Sequence, residues 1–591
     1  MDVNGLIYES IQLFSGKKYA EAIEILHQAW DEITDKSTRI SEQCLIQTWL
    51  GCCYFEQAKR TKDEDKAEEL FGQAIKHFQE RFELHKQLTD GNEQDLTDQI
   101  GDRFWLGSCY LEQAKKTEDT DKAGELFGLA VGHYQQRLQL AKQLTNEQNG
   151  ILQQISAQSD LGRCYLEQIK RSKSISEAEK FVKQAGEKFS AAHEQLSQLS
   201  DEKEKKVWEK IIRPGRRDTD YLNKDWNSYF EKKKQEIQES LFKGETSQPQ
   251  DAVATILAVL HITPIELGFT PMAHYTSPHV CHILFGIGSN ETASPMRIGS
   301  STYMNDPSEG RGLLDLLNQQ DLELENKTDG ASHNAFFTCF SSRVNDLNQF
   351  RLYGKEDGVE ASGCCLVFNK NGDWLKEADV SAPFRSLSQK SGQDSDGLPE
   401  AGFSDHKYEK LPLYQVAYIA YKDEYIAEKK CGIWFPSQKE PKFGIRLKPV
   451  GNEKWHQFRL KKLKEALEEL IGFFEDKSAV SDDDKEALEY IRYLFKDFAF
   501  RDEEEFRLLV IKPIDSEEIE YCETTQSVYI PYADIRNRAD EVILGTNYEK
   551  TGKQRKAEVF RYQMKQKCPD VKVSRSTLPI NPPNKLNHPN K

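Results

Sequence analysis

Apolar side chains recur at helical spacing over the first third of the chain. Leu50 and Tyr54 lie four residues apart, as do Ala67 and Phe71 further on. Residues at this spacing share one face of an α-helix, so each run predicts an amphipathic helix that buries one side. The polar segment 61–65 between the two runs supplies N-cap side chains. The pattern therefore predicts pairs of helices joined by short polar turns.

This helical unit is repeated along the sequence. The segment WLGCCYFEQAKR, from Trp49, matches WLGSCYLEQAKK, from Trp105, at an offset of 56 residues. A third copy starts at Asp160, 55 residues further on, and a degenerate copy starts at Lys17. Self-similarity at a fixed period is typical of a repeat architecture. We therefore expect the helix pairs to stack on one another.

The pattern changes in the second half to short apolar runs bounded by turn residues, which is typical of strands mixed with helices. We predict strands at 272–275, 296–300, 335–340, 364–368, 414–421, 506–511, 528–530 and 542–544. We predict helices directly after residue 251 and at 278–286, 308–320, 457–476 and 484–498. Because strands and helices do not alternate regularly, this half should form an α+β domain.

Composition limits the classes of protein to which the chain can belong. At 591 residues it exceeds the ~250–300 at which single cores stop growing, so several domains are expected. The net charge of −17 argues against electrostatic binding of nucleic acid or anionic membrane by the whole chain. We find no signal peptide and no apolar run near the ~18 residues of a membrane span, so a cytoplasmic location is expected. The twelve cysteines form no C-x-x-C motif, which disfavours a metal site.

The repeated residues match a known helical motif. They are Trp49, Leu50, Gly51 and Tyr54 on the first helix, then Ala67, Phe71 and Ala74 on the second. In these positions the array resembles the tetratricopeptide repeat, although its period of about 55 exceeds the ~34 of that family. The longer period predicts helices of about 25 residues. The resemblance implies a solenoid whose concave surface binds a protein partner.

The expected fold is multidomain: an all-α tetratricopeptide-like solenoid followed by an α+β domain. The predicted parts are repeats at 1–195, a helical cap and linker at 196–250, the α+β domain at 251–578 and a disordered tail at 579–591. Pro214 should interrupt the cap, and the polar segment from Gly244 to Asp251 indicates the linker. The polar composition of 386–406 indicates a mobile insertion.

Five short segments of the second half stand out for their chemistry. They are MAHYTS at 272–277, IGSSTYMNDPSE at 298–309, FTCFS at 337–341, EEEFR at 503–507 and EVILG at 541–545. Their order resembles that of domain-of-unknown-function family 2971, over about residues 270–580. The family name itself implies no function.

The layout is also similar to the ADP-ribosyltransferase fold. In that fold an early strand supplies His or Arg, the next Tyr or Ser, and a later strand Glu, often within E-x-E. The resemblance implies His274, Tyr303 (or Ser301) and Glu505 as catalytic residues. It implies, as NAD-binding residues, Tyr275, Thr276, Ser301, Asn305, Asp306, Glu503 and Arg507. NAD would be the substrate, and the implied activity is ADP-ribosylation of a macromolecule by a bacterial effector-type enzyme.

These residue types suit that chemistry. Cleavage of the nicotinamide–ribose bond passes through an oxocarbenium-like state, which a nearby carboxylate stabilises. A histidine that donates to a ribose hydroxyl would fix the orientation of the sugar. Because strand side chains alternate, Glu503 and Glu505 should face one cleft while Glu504 points away. Two carboxylates held close together raise the pKa of one, which suits that residue to proton transfer.

Other interpretations of the same residues stay open. His274 also fits a hydrogen-bonded structural histidine, and Asn305 with Asp306 fits a turn that caps a helix. The acidic run 502–505 also fits a solvated edge, with Arg507 as its ion-pair partner. If these interpretations hold, the protein is a non-catalytic scaffold in which both halves bind partners.

Overall fold

The computed structural model describes residues 2–34, 39–61, 63–88, 93–242, 244–287, 293–303, 306, 309–320, 333–370, 380–388, 411–420, 443–475, 481–523, 526–536, 538–551 and 555–579. The chain forms two compact units, Met1–Tyr229 and Phe230–Lys591. The first is helical and the second mixes a large sheet with helices, which confirms the predicted order of a helical domain and an α+β domain.

The division between the units falls before the predicted linker. The second unit begins at Phe230 rather than at 251. The segment predicted as a linker instead starts a helix, Gln248–Leu260, whose N-terminus is closed by a capping box between Ser247 and Gln250. Ten of the thirteen residues of this helix, Pro249 and 252–260, are buried, so the helix belongs to the core of the second unit.

The first unit consists of helices that pack mainly against their neighbours in sequence. They are α1 (Val3–Ser15), α2 (Tyr19–Asp31), α3 (Ile40–Arg60), α4 (Glu64–Leu88), α5 (Glu93–Lys116), α6 (Thr120–Ala141), α7 (Glu147–Ile169), α8 (Ile175–Leu196) and α9 (Glu202–Leu222), and α10 (Trp226–Leu241) continues into the second unit. Helices α3 to α8 contain 21 to 25 residues each. The long helices implied by the long period are present.

One glycine in each long pair sets the distance between its two helices. A Cβ built there would lie 2.6–2.7 Å from an aromatic ring on the partner helix, which is closer than real Cβ atoms approach. The contacts are Gly51 with Phe78, Gly107 with Tyr134, and Gly162 with Phe189. Glycine is therefore required at these positions because the ring occupies the space of a side chain.

The predicted interruption at Pro214 is wrong. Helix α9 runs through the proline, although proline lacks the N–H of a helical hydrogen bond. The next residue, Gly215, lies against the ring of Phe189, and its carbonyl accepts a hydrogen bond from the Thr219 hydroxyl at 2.8 Å. Packing and this extra bond offset the loss, so the helix continues.

The second unit is built around a sheet of eleven strands within the described residues. The strands of the unit are β1 (His261–Ile262), β2 (Met272–Thr276), β3 (Met296–Ser300), β4 (His333–Ser341), β5 (Cys364–Phe368), β6 (Leu413–Gln415), β7 (Ala417–Ala420), β8 (Gly444–Arg446), β9 (Phe495–Asp497), β10 (Glu505–Pro513), β11 (Glu520–Cys522), β12 (Ser527–Ala533), β13 (Ala539–Leu544) and β14 (Lys572–Arg575). The main order is β1-β6-β10-β4-β2-β5-β13-β14, while β3 joins β4 to β12 and β12 pairs with β11. Strands β8, β7 and β9 form a separate three-stranded sheet.

Helices and turns cover and connect these sheets. The α-helices after Gln248–Leu260 are Pro264–Leu267, Pro278–Phe285, Gly312–Leu316, Leu347–Leu352, Arg385–Ser388, Glu453–Glu475, Asp482–Ala487 and Lys556–Lys567. The 3-10 turns are Ser301–Tyr303, Ala382–Phe384, Leu488–Tyr490, Arg492–Leu494, Phe498–Glu503 and Tyr548–Lys550. No helix in the described parts of the chain is long and apolar enough to cross a membrane.

Most predicted elements of this unit are present, and three differ. The strand predicted at 414–421 is divided into β6 and β7, which belong to different sheets. The helix predicted at 484–498 ends at Ala487 and gives way to 3-10 turns and β9, because residues 488–498 are buried on every side rather than along one stripe. The helix predicted at 308–320 is shorter, Gly312–Leu316. Most of the insertion at 386–406 and nearly all of the tail lie outside the described residues.

Strands β4 and β10 form the centre of the large sheet, and one face of this pair packs on the hydrophobic core. Strands β4 and β10 pair along their whole length, from Glu505 opposite Ser341 to Pro513 opposite His333. Alternate residues of the pair, among them Phe340 and Phe506, enter the main hydrophobic core. Strand β2 pairs with β4 at a single position, Ala273 opposite Ser341. The sheet is therefore loosely joined between β2 and β4.

Gly107 offers a direct test of the close helix approach. We expect Gly107→Ala to lower the stability of the helical unit by about 1–3 kcal/mol, because the added methyl overlaps the buried ring of Tyr134. Urea unfolding of the full chain, followed by helical circular dichroism, measures this loss.

The matched control is Gly128→Ala on helix α6. Gly128 is exposed, and a Cβ there meets nothing within 4 Å. The change should raise stability by about 0.5–1 kcal/mol, since alanine favours the helix. A Gly107→Ala variant as stable as the Gly128→Ala variant would contradict the proposed steric role.

Candidate active site

A cavity of about 350 Å³ opens beside strands β2, β3, β4, β9 and β10. Its volume is at the lower end of the ~300–1,000 Å³ that small-molecule sites occupy. Its walls combine aromatic rings with charged groups: Phe337, Tyr353, Phe500, Arg297, Asp306, Glu309, Lys496, Glu503, Glu505 and Arg507, with His274, Cys339 and Phe340 also among the lining residues. This combination of apolar walls and a few converging polar groups is typical of a binding or catalytic site.

Glu505 is held in this cavity by two cations. Arg507 donates from Nε and Nη2 to its two carboxylate oxygens at 2.7 and 3.0 Å, and the Lys496 ammonium donates to it at 3.1 Å. Burial alone would raise the pKa of Glu505, but Arg507 and Lys496 outweigh burial and lower that pKa to about 2. Glu505 is therefore a fixed anion at physiological pH.

Glu503 and Glu505 face the same cavity, as predicted, but for a different reason. Strand β10 begins only at Glu505, and Glu503 ends the 3-10 turn Phe498–Glu503. Between them Glu504 has left-handed backbone angles, φ 45° and ψ 53°, which turn its side chain away. Glu504 instead pairs with Lys448 at 2.7 Å and accepts a hydrogen bond from the Ser342 hydroxyl at 2.5 Å.

Two further carboxylates complete what we call the charged cluster. Its members are Glu309, Lys496, Glu503, Glu505 and Arg507. Glu503 accepts from the Tyr353 hydroxyl at 2.5 Å and from Lys496 at 2.8 Å. Glu309 accepts from Arg507 Nη1 at 2.6 Å and lies 3.8 Å from Lys496. The cluster thus joins three carboxylates to two cations.

The group suited to proton transfer is Glu309. Burial raises the pKa of Glu309 despite the lowering effect of Arg507 and Lys496. Within the predicted Glu503–Glu505 pair, by contrast, Glu505 is fixed as an anion. The prediction that repulsion within the Glu503–Glu505 pair would raise the pKa of one member is wrong for Glu505, and the carboxylate with the raised pKa, Glu309, lies outside the E-x-E motif and owes its shift to burial.

His274 enters the cavity from β2. Its Nδ1 lies 2.9 Å from the Cys339 carbonyl, which can only accept, so Nδ1 carries the proton. Burial lowers the pKa of His274, so its Nε2 is unprotonated and accepts hydrogen bonds. The histidine therefore cannot donate to a ribose hydroxyl from Nε2 in its neutral form. Cys339 thus contacts both residues: its backbone carbonyl accepts from His274, and its thiol bonds to Glu505.

Three of the residues expected to bind NAD line the cavity in addition to Glu503: Tyr275, Asp306 and Arg507. The hydroxyl of Tyr275, however, already has two partners in the protein. Its hydroxyl donates to the Arg343 carbonyl at 2.5 Å and accepts from the Asp346 backbone N–H at 2.8 Å. Its phenol is therefore committed to holding the chain after β4.

Two of the remaining predicted residues, Thr276 and Ser301, do not line the cavity. Thr276 is buried opposite Cys364 at the end of β2, and Ser301 is buried in the first turn after β3. Tyr303 ends the turn Ser301–Tyr303, but its side chain lies outside the described residues, as does all of Asn305.

Sequence reasoning missed Lys496, Tyr353 and Cys339 as site residues, and it noted Glu309 only as part of a motif. Lys496 lies in the segment predicted as a helix, so nothing indicated that it would face a cavity. Glu309 could have been identified from the sequence, because it follows the Asn-Asp-Pro motif closely.

Within the described residues, no group of three or more His, Cys, Asp or Glu side chains is arranged to hold a metal ion.

Comparisons with known proteins add no assignment. No protein-family model matches the chain, and a search of curated proteins finds no match. A function can therefore be proposed only from the geometry of the cavity and from the families that the sequence motifs resemble.

The low pKa of Glu505 predicts how its removal affects stability. Its folded pKa of about 2 lies below the ordinary 4.5, so its contribution is complete above pH 4.5 and is lost as the pH falls toward 2. We expect Glu505→Gln to lower stability at pH 7 by about 3 kcal/mol, and the difference from wild type to shrink below pH 4.5. Urea titrations at several pH values measure it.

Glu504→Gln is the control for this experiment. Its ion pair with Lys448 is more exposed, so its loss should cost at most about 1 kcal/mol. If both variants lost equal stability, the buried pairing of Glu505 would not have the strength that the geometry implies.

Proposed function

We propose that the second unit is an enzyme of the ADP-ribosyltransferase type, which uses NAD to modify a macromolecule. The observation that supports it most is the fixed anion Glu505, held in an aromatic-walled cavity that His274 also lines. A permanent negative charge at such a position suits a reaction whose transition state carries positive charge on a sugar.

The proposed reaction breaks the bond between ribose C1′ and the nicotinamide nitrogen. Nicotinamide leaves as a neutral molecule with the bonding electrons, and Glu505 stabilises the positive charge that develops on the ribose. A nucleophile of the target then bonds to C1′ and loses its proton, for which Glu309 is the acceptor. His274 Nε2 would accept from a ribose hydroxyl, and an aromatic wall such as Phe337 would stack on the nicotinamide ring.

The helical unit is proposed to bind a protein partner, either the target or a regulator. Helices that pack chiefly on their sequence neighbours, with a repeated glycine contact in each pair, support a solenoid arrangement. Exposed positions of such an array are free to vary, because the stack depends only on the buried ones.

We further propose that the activity takes place in the cytoplasm, where NAD is present, and that the protein is a bacterial effector-type enzyme.

A second candidate is a non-catalytic scaffold in which both units bind partners. The observation in its favour is the pairing of Glu505 with both Arg507 and Lys496, since buried carboxylates in structural ion-pair networks are paired in the same way. Assays of NAD cleavage separate the two candidates.

The direct test is incubation of the full chain with labelled NAD. Nicotinamide release is followed by chromatography, and label transfer to the chain itself or to proteins of a bacterial lysate by gel. Glu505→Gln should lower the rate about 100-fold or more, because a preorganised charge at the reacting sugar is lost. Glu504→Gln should leave the rate unchanged, and melting curves confirm that each variant is folded. Wild-type protein that releases no nicotinamide with any acceptor would favour the scaffold.

The pH dependence distinguishes the roles of Glu309 and His274. Burial raises the pKa of Glu309 from 4.5, so loss of activity at acid pH should reflect its protonation. Glu309→Gln should lower kcat and remove this acid limb. His274→Gln should keep the limb and chiefly raise KM, since the pKa of His274 is lowered and the residue binds as a neutral acceptor. A limb that disappears with His274→Gln would reverse the assignment.

A further inference from the structure

Lys496 reaches the active-site cavity from outside the large sheet. It lies on β9 of the three-stranded sheet, and its side chain is 7% exposed. Its ammonium lies 2.8 Å from Glu503, 3.1 Å from Glu505 and 3.8 Å from Glu309. One cation therefore contacts all three carboxylates of the charged cluster.

The three-stranded sheet makes a second contact with Glu505, through Tyr418. Tyr418 lies on β7 directly opposite Lys496 in the parallel pairing of β7 with β9. Its buried hydroxyl accepts from the backbone N–H of Glu505 at 2.9 Å. Neighbouring positions of the small sheet thus hold the backbone and the side chain of Glu505, at the residue where β10 begins.

The charge balance of the cluster depends on Lys496. With it, two cations face three carboxylates; without it, Arg507 alone would face them. Like charges held close together repel strongly where water is excluded. Protonation or displacement of a carboxylate would relieve this repulsion. Either change removes the arrangement on which the proposed reaction depends.

We propose that Lys496 is a positioning residue of the active site, which keeps Glu505 charged and holds Glu503 beside it in the cavity. It acts through these carboxylates and does not itself bond to the reacting atoms. The catalytic part of this inference rests on the proposed function, but the electrostatic effect of Lys496 on the carboxylates can be tested without any cleavage of NAD.

Cys339 serves as a reporter inside the site. It is only partly exposed, lines the cavity and bonds through its thiol to Glu505. Burial and Glu505 raise its pKa, while Arg507 and Lys496 lower it. Loss of the Lys496 charge should therefore make the thiolate scarcer and slow alkylation. Cys522 on β11 is also partly exposed, and it serves as the internal reference.

The experiment measures iodoacetamide alkylation of the two cysteines in the full chain by mass spectrometry, between pH 8 and 9. Lys496→Met should slow the reaction of Cys339 about tenfold, the effect of about one pKa unit, and leave Cys522 unchanged. Lys448→Met, which removes the outward lysine paired with Glu504, should change neither rate.

Two further variants keep the test decisive if Lys496→Met folds poorly. Glu503→Gln alone leaves two carboxylates with two cations and should speed alkylation of Cys339. The double variant Lys496→Met/Glu503→Gln restores an excess of one carboxylate, as in wild type, and should recover most of the lost rate. A Cys339 rate that is the same in all variants, or a double variant as slow as Lys496→Met, would overturn the positioning role.

Activity measurements separate this inference from the proposed function. If NAD is cleaved, Lys496→Met should move the acid limb of kcat/KM to higher pH, and Glu503→Gln in the double variant should move it back. If wild-type protein cleaves no NAD but the alkylation rates follow the predicted order, the proposed function fails and the electrostatic role of Lys496 stands. If NAD is cleaved and the alkylation rates do not change, only the role of Lys496 fails.

Discussion

The guanidinium group of Arg507 has no exposed surface, and it bonds at once to Glu505, to Glu309 and to the carbonyl of Tyr493. A buried cation that lost its partners would cost several kcal/mol, so each of these groups must be in place for the second unit to fold as it does. The partners come from β10 itself, from the segment after β3 and from the turn before β9. One buried charge therefore fixes three separate parts of the chain around the cavity.

The charged cluster also explains why the acids of the site have different properties although they lie close together. Glu505 is paired with both Arg507 and Lys496 and stays ionised, whereas burial raises the pKa of Glu309 in spite of the same two cations. The difference between the two acids arises from how many donors each carboxylate receives, a property that spacing along the chain does not show.

The sequence was sufficient to predict those parts of the fold that depend on local pattern. Alternating apolar residues located β2, β3, β4, β5 and β10, and the repeat period located the long helix pairs. The motifs also identified two residues that line one cavity: His274 on the predicted strand 272–275, and Glu505 directly before the predicted strand 506–511. These are features for which a few neighbouring residues decide the outcome.

The rest depends on contacts between distant residues. The left-handed backbone of Glu504 cannot be read from its side chain, since glutamate seldom adopts it. Lys496 was missed because a segment buried on every side has no periodicity that separates strand from helix. The boundary at Phe230 was missed because a polar segment, 244–251, looked like a linker while a capped helix began within it.

The glycine contacts of the first unit have an evolutionary consequence. Each glycine and the aromatic ring that covers it belong to the same helix pair, so the fit is complete within one copy of the repeat. Unequal recombination that duplicates or deletes a whole copy would leave every remaining fit intact. The array can thus lengthen or shorten in whole steps during evolution without disturbing the glycine–ring contact within any pair that remains.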